Sequence, residues 1–143
     1  MVNLDSIHAL AYFNILKTSN WIEERVKNAL KPFNLTHAQL NVLYIIYEKD
    51  PKPVSANELK NRILGNNPDT TRILDQLVKK ELVLRETCSE NRRKIDISFT
   101  DSGKLLFIKA HEATKNAVHN FFEDKISIDE AKELRRILHK TRV

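Results

Sequence analysis

Apolar side chains recur every three or four positions over residues 5–31, at Ile7, Leu10, Ala11, Phe13, Leu16, Trp21, Ile22, Val26, Ala29 and Leu30. That spacing marks one face of an amphipathic helix. Asp5 or Ser6 caps its start and Pro32 stops it. The stripe is too rich in large apolar residues for a solitary surface helix, so it packs on the core, on a partner subunit or on both. A second helix opens at Thr36. Thr36 and Gln39 have capping-box spacing, and Leu40, Leu43, Tyr44, Ile46 and Tyr47 supply a wide apolar face. Asp50-Pro51-Lys52-Pro53 closes it as a stiff loop.

Ser55 and Glu58 repeat the capping-box spacing and start a third helix through Ile63 or Leu64, with Gly65 as its left-handed stop. Asn67 caps a fourth helix running from Pro68, at a position where the missing N–H costs nothing, to about Lys80. Two helices joined by about three residues containing glycine make a helix-turn-helix. Ile73, Leu74, Leu77 and Val78 give the fourth helix its apolar stripe. Asp69, Arg72, Gln76 and Lys79 fall on another face at steps of three and four, and Thr70 and Thr71 are small enough to let the backbone approach a groove. Taken alone, that polar face also fits an ordinary solvated surface.

The next segment changes the balance. Val83–Thr87 and Ile95–Phe99 are rich in β-formers and flank S-E-N-R-R-K, a hairpin loop with Arg92, Arg93 and Lys94 at its far end. A basic two-stranded finger directly after such a helix fits an adjacent minor groove, whose negative potential suits arginine. The alternative is a solubilising edge hairpin. Thr100 then caps a long helix from Asp101 to about Lys125, with apolar surface from Leu105 to Phe122. Ser127 and Glu130 open a last helix whose outer face carries Lys132, Arg135, Arg136, Lys140 and Arg142.

The fold class that follows is mostly α with a small β-hairpin wing: a winged helix-turn-helix at about 34–100, flanked by helices at about 5–32 and 101–143, in one domain. The chain of 143 residues suits a single domain with its own core. Its two glycines and four prolines favour long helices over many short strands. A net charge of +5 and a basic isoelectric point suit a polyanionic partner.

Cys88 is the only cysteine, so no intramolecular disulfide forms and a reducing cytoplasm is expected. With no resolving cysteine, it reads as an incidental thiol in the wing. No signal peptide or membrane-spanning run is read from the sequence. His111 and His119 lie eight apart without tight ligand spacing, so no metal and no cofactor is assigned. Asp69 and Asp75 are six apart and do not face each other. No nucleophile–base pair, Gly-rich phosphate loop or catalytic carboxylate pair is present, so no enzyme is expected.

Four stretches together resemble the MarR family of bacterial transcription regulators: L-T-H-A-Q-L-N-V-L at 35–43, A-N-E-L at 56–59, N-P-D-T-T-R-I-L-D-Q-L-V-K-K at 67–80, and N-R-R-K-I-D-I-S-F-T-D-S-G at 91–103. The resemblance implies a homodimer in which the terminal helices interlock around a two-fold axis and two winged helices face a palindromic operator in double-stranded DNA. It also implies repression relieved by a small phenolic or other anionic aromatic ligand. Carried over by position, Thr70, Thr71, Arg72 and Gln76 lie in the major groove and Arg93 in the minor groove. Ser55, Asn67, Pro68, Asp69, Lys79, Arg92 and Lys94 complete the expected DNA-binding set.

Two positions depart from the family pattern. Asn91 stands where the wing usually has aspartate. Glu81 stands where glycine usually follows the recognition helix, and a left-handed backbone there costs a non-glycine residue about 1 kcal/mol or more. A protein-interaction module or a ligand-binding protein on the same scaffold is the alternative reading.

Overall fold

The computed structural model describes residues 6–63 and 69–143. The chain folds as two compact units, residues 30–112 and residues 1–29 with 113–143. The architecture is the expected one: mostly helical with one small antiparallel sheet.

In the central unit, a 3-10 turn at Lys31–Phe33 leads to α2 (His37–Lys49), β1 (Val54–Ser55), α3 (Ala56–Arg62), α4 (Thr70–Lys79), β2 (Val83–Thr87), β3 (Ile95–Phe99) and the start of α5 (Asp101–Thr114). The Thr36–Gln39 capping box is complete. Gln39 N–H donates to the Thr36 hydroxyl and Thr36 N–H donates to Gln39 Oε1, each at 3.1 Å. Thr100 starts α5 by accepting the Gly103 N–H at 2.9 Å.

The sheet runs β1–β3–β2. Val54 pairs with Ile97, while Val83 pairs with Phe99 and Arg85 with Ile97. Strand β1 lay outside the expected elements. Its two residues give no period, and only its pairing to β3 defines it.

Leu30, Leu43, Ile46, Val54, Leu59, Leu77, Ile97 and Phe107 form the fully buried heart of this unit. Phe107 sits among Tyr47 (centroids 4.9 Å apart), Phe99 (5.8 Å), His111 (5.4 Å, stacked) and Tyr44 (6.4 Å). The buried face of α2 differs from the expected one. Val42 and Ile45 are inside, whereas Tyr44 and Tyr47 border Phe107 and stay 42% exposed. Helix α3 ends one residue early, because Ile63 is extended (φ −67°, ψ 126°). Gly65 and Leu64 lie outside the described residues, as do the expected cap Asn67 and Pro68.

In the other unit, α1 (Ile7–Leu30) begins with the Ser6 hydroxyl accepting the Ala9 N–H at 3.1 Å; Asp5 lies outside the described residues. The helix expected from Asp101 to about Lys125 is not regular throughout. After α5, Lys115–His119 form a π-helical turn, followed by α6 (Asn120–Lys125). The Ser127–Glu130 capping box opens α7 (Ile128–Lys140). Trp21 packs on Phe121 at 4.9 Å. The Arg25 guanidinium lies over both rings, at 4.8 and 4.9 Å, and donates to the Ala117 carbonyl at 2.7 Å. No described helix is long and apolar enough to cross a membrane.

Candidate nucleic-acid interface

Three local structures position the polar residues of the central unit. At the start of α3, the Ser55 hydroxyl accepts the Glu58 N–H at 3.1 Å. The capping spacing here serves a different pairing, because the Glu58 carboxylate takes Lys49 Nζ at 2.6 Å.

Helix α4 buries Ile73, Leu74 and Leu77 and presents Thr71, Arg72, Gln76 and Lys79 to solvent. Asp69 is exposed and pairs with Arg72 at 3.5 Å, with side chains 52% and 71% exposed. A pair that open to water is worth roughly 0–1 kcal/mol, so an incoming phosphate can displace Asp69. Thr70 departs from the expected placement. It is only 2% exposed, so its side chain belongs to the packing of the helix start. Val78, expected inside, is 36% exposed.

The end of α4 fixes where the wing begins. Leu82 N–H donates to the Leu77 carbonyl at 3.0 Å and Glu81 N–H to the Val78 carbonyl at 2.9 Å, while Glu81 is left-handed at φ 58°. This is a Schellman motif with its usual apolar contact supplied by buried Leu77 and Leu82. The backbone therefore keeps the glycine conformation and Glu81 carries the strain. The Glu81 carbonyl accepts the Thr100 hydroxyl at 2.7 Å, and Thr100 N–H donates to the Leu82 carbonyl at 3.1 Å. Gly103 makes this close approach feasible, since a Cβ there would stand 1.8 Å from the Leu82 oxygen.

Asn91 organises the wing tip. Its side-chain oxygen accepts the Arg93 N–H at 3.0 Å, its carbonyl accepts the Lys94 N–H at 2.9 Å, and Cys88 N–H donates to the Lys94 carbonyl at 2.9 Å. The amide thus holds the turn without a charged pair. Arg92, Arg93 and Lys94 are all exposed.

These pieces meet at a cleft of about 250 Å³ whose lining includes Ser55, Lys60, Thr71, Arg85, Arg93 and Lys94. Ser55, Thr71, Arg93 and Lys94 are thereby brought together. Lys60 and Arg85 join them although neither was in the expected set. Arg85 Nη2 also donates to Asp75 Oδ1 at 2.6 Å, tying β2 to α4. Arg72, Gln76, Lys79 and Arg92 do not line that cleft. Gln76 carries a further bond missed by sequence reasoning: buried Gln39 donates to its side-chain oxygen at 2.9 Å. Among the described residues, no cluster of three or more His, Cys, Asp or Glu side chains could hold a metal ion.

A helix pair, α3 and α4, followed by a hairpin that β1 completes into a three-stranded sheet defines a winged helix-turn-helix. Residues 35–95 match the model of the MarR family, and this segment is a MarR-family winged helix. Solved structures of the same fold extend over nearly the whole chain. A MarR transcription factor from Planctomyces limnophilus is 27% identical, with a TM-score of 0.71 over 94% of this chain and 97% of that one. A mutant MarR from E. coli complexed with operator DNA is 23% identical, with a TM-score of 0.81 over 99% of each chain. The transcriptional repressor CouR bound to a 23-mer DNA duplex is 17% identical, with a TM-score of 0.84 over 100% and 99%.

Proposed function

We propose that this chain is a cytoplasmic, sequence-specific DNA-binding transcriptional regulator, acting as a homodimeric repressor of palindromic operators and relieved by a small aromatic or anionic ligand. The observation that carries this reading is the cationic cleft. It joins the first turn of α4, through Thr71, to the wing, through Arg93 and Lys94, and to α3 and its cap, through Lys60 and Ser55. Phosphate contacts fix register while base edges supply sequence. Ser55, Lys79, Arg92 and Lys94, with Lys60, serve the backbone; Asp69 holds Arg72 until DNA displaces it; Thr71, Arg72 and Gln76 face the major groove, and Arg93 enters the minor groove. Asn67 and Pro68, which precede α4 in the sequence, keep their place in the expected set. Thr70 holds the start of α4. Similar folds bound to operator DNA and to a DNA duplex support the same partner.

An unfilled core supports dimerisation. Within residues 6–29 and 113–143, Val26 and Thr114 are the only buried side chains. Ile7, Leu10, Phe13, Ile15 and Leu16 of α1 and Ile128, Leu134 and Ile137 of α7 are 41–76% exposed. An apolar cavity of about 550 Å³ opens between Ile15, Ile22, Phe122, Leu134, Ile137 and Leu138. A surface so extensive is covered in solution. A second copy is the partner present whenever the chain is, and it supplies the same apolar stripes in return.

Arg93→Ala tests the wing within an intact dimer. Affinity for operator DNA should drop, and the slope of log K against log salt should flatten by about 0.9 per phosphate contact removed. Unchanged affinity and slope would reject the wing's role. A ligand that relieves repression should lower operator affinity when titrated into the complex; binding of such a ligand with no change in operator affinity would reject modulation.

A further inference from the structure

Among the described residues, Gln39 is one of three buried polar side chains, at 3% exposure. Its oxygen accepts from two groups that can only donate: the Thr36 backbone N–H at 3.1 Å and the Lys80 ammonium at 3.2 Å. These fix which end of the amide is oxygen. The Gln39 nitrogen must therefore face Gln76, and it donates to Gln76 Oε1 at 2.9 Å. Since an amide nitrogen cannot accept, Gln76 has to keep its oxygen turned to Gln39 and its own nitrogen turned away. Any other arrangement leaves the buried Gln39 N–H without a partner. Gln76 is exposed on α4, so the group it offers outward is a donor.

A glutamine that reads adenine uses both ends of its amide, accepting from N6–H and donating to N7. Guanine offers only acceptors at N7 and O6 in the major groove, and thymine offers O4. We propose that Gln39 is a positioning residue that sets base preference through Gln76, biasing this regulator toward an acceptor edge, guanine or thymine O4, and away from adenine. The inference rests on the DNA-reading function proposed above. It extends that function to a residue buried in α2, 37 positions from the one it orients.

Gln39→Glu is designed to reverse the amide. One carboxylate oxygen keeps Thr36 and Lys80, and the other accepts from Gln76 Nε2, which turns Gln76 Oε1 outward. Binding-site selection from random duplex DNA is run on the wild type, Gln39→Glu, Gln76→Ala and the double variant. The position read by Gln76 is the one whose preference Gln76→Ala loses.

There the wild type should enrich guanine or thymine, and Gln39→Glu should move the preference toward adenine or cytosine, which present donors, by roughly tenfold. The double variant should match Gln76→Ala. Gln39→Met, which removes the bond to Gln76 together with those from Thr36 and Lys80 and adds no acceptor, is the second variant should the glutamate fail to fold. It should erase the distinction between acceptor and donor edges at that position alone, whereas a merely structural role would weaken all sites alike. Wild-type enrichment of adenine there, an unchanged base in Gln39→Glu, or a shift that persists without Gln76 overturns the proposal. A wild type that selects no motif overturns the DNA-reading function itself, a result distinct from a selected motif that carries adenine at the position Gln76 reads.

Discussion

Replacing Glu81 with glycine should stabilise the fold by about 1 kcal/mol. At φ 58° the residue occupies the left-handed region, which costs an L side chain roughly 1–2 kcal/mol. Glycine gives back about 0.5–1 kcal/mol of that relief through its more disordered unfolded state. Removing a carboxylate from the C-terminal end of α4 adds a few tenths, because the helix dipole is negative there. The motif itself is already formed, with bonds of 3.0 Å from Leu82 to Leu77 and 2.9 Å from Glu81 to Val78, so no rearrangement is needed.

For a chain of this size the gain corresponds to a rise of about 3–5 °C in Tm. It should appear in urea unfolding as a higher midpoint with an unchanged m-value, at one fixed protein concentration. Glu81→Ala is the control: it removes the charge but keeps the Cβ. If the glycine variant is no more stable than the alanine variant, backbone strain at this turn is not what Glu81 costs.

Gly103→Ala should destabilise by roughly 3 kcal/mol, since its Cβ would stand 1.8 Å from the Leu82 carbonyl oxygen and only backbone movement relieves it; urea midpoints equal to wild type would contradict that. Asp50 holds the Lys104 ammonium above its ordinary pKa through a 2.5 Å contact. A raised folded value means the contribution is fully present below about pH 10.4 and lost as pH rises through the folded value. The stability difference between wild type and Lys104→Met should therefore be flat through neutral and mildly alkaline pH and shrink as pH rises past about 10.4; shrinkage on acidification toward neutral pH would refute the pairing. Leu134→Glu in α7 should convert the proposed dimer to monomer in light scattering, and a dimer of unchanged affinity would place the subunit contact elsewhere.

Local signals carried much of the fold into the sequence. The Thr36–Gln39 and Ser127–Glu130 spacings became complete capping boxes because each involves residues within one helical turn. The β-formers at 83–87 and 95–99 became paired strands because a short polar loop fixes their register. What escaped depends on distant partners. Strand β1 is too short to show a period, and the π-helical turn at Lys115–His119 leaves no mark on a helical pattern.

The candidate site divides the same way. Thr71, Arg72, Gln76, Lys79 and the wing cations were legible from helical spacing and hairpin composition, and all of them are exposed. Thr70 was misplaced because two adjacent threonines look alike in sequence, and only packing decides which one is buried. Lys60 and Arg85 reach the cleft from α3 and β2, which no spacing within α4 could reveal. Gln39 looked like a cap alone; its second task appears only when α2 and α4 are packed together.

Selection of random duplex DNA by the purified protein, followed by titration of the selected and scrambled duplexes across a salt series, is the most direct measurement of whether this chain reads DNA. An inverted repeat should emerge, with half-sites about one helical turn (~34–36 Å) apart. It should bind at least roughly 10³-fold more tightly than the scrambled duplex, and both affinities should fall steeply with salt. Failure to enrich any motif, together with binding indifferent to salt, would contradict it.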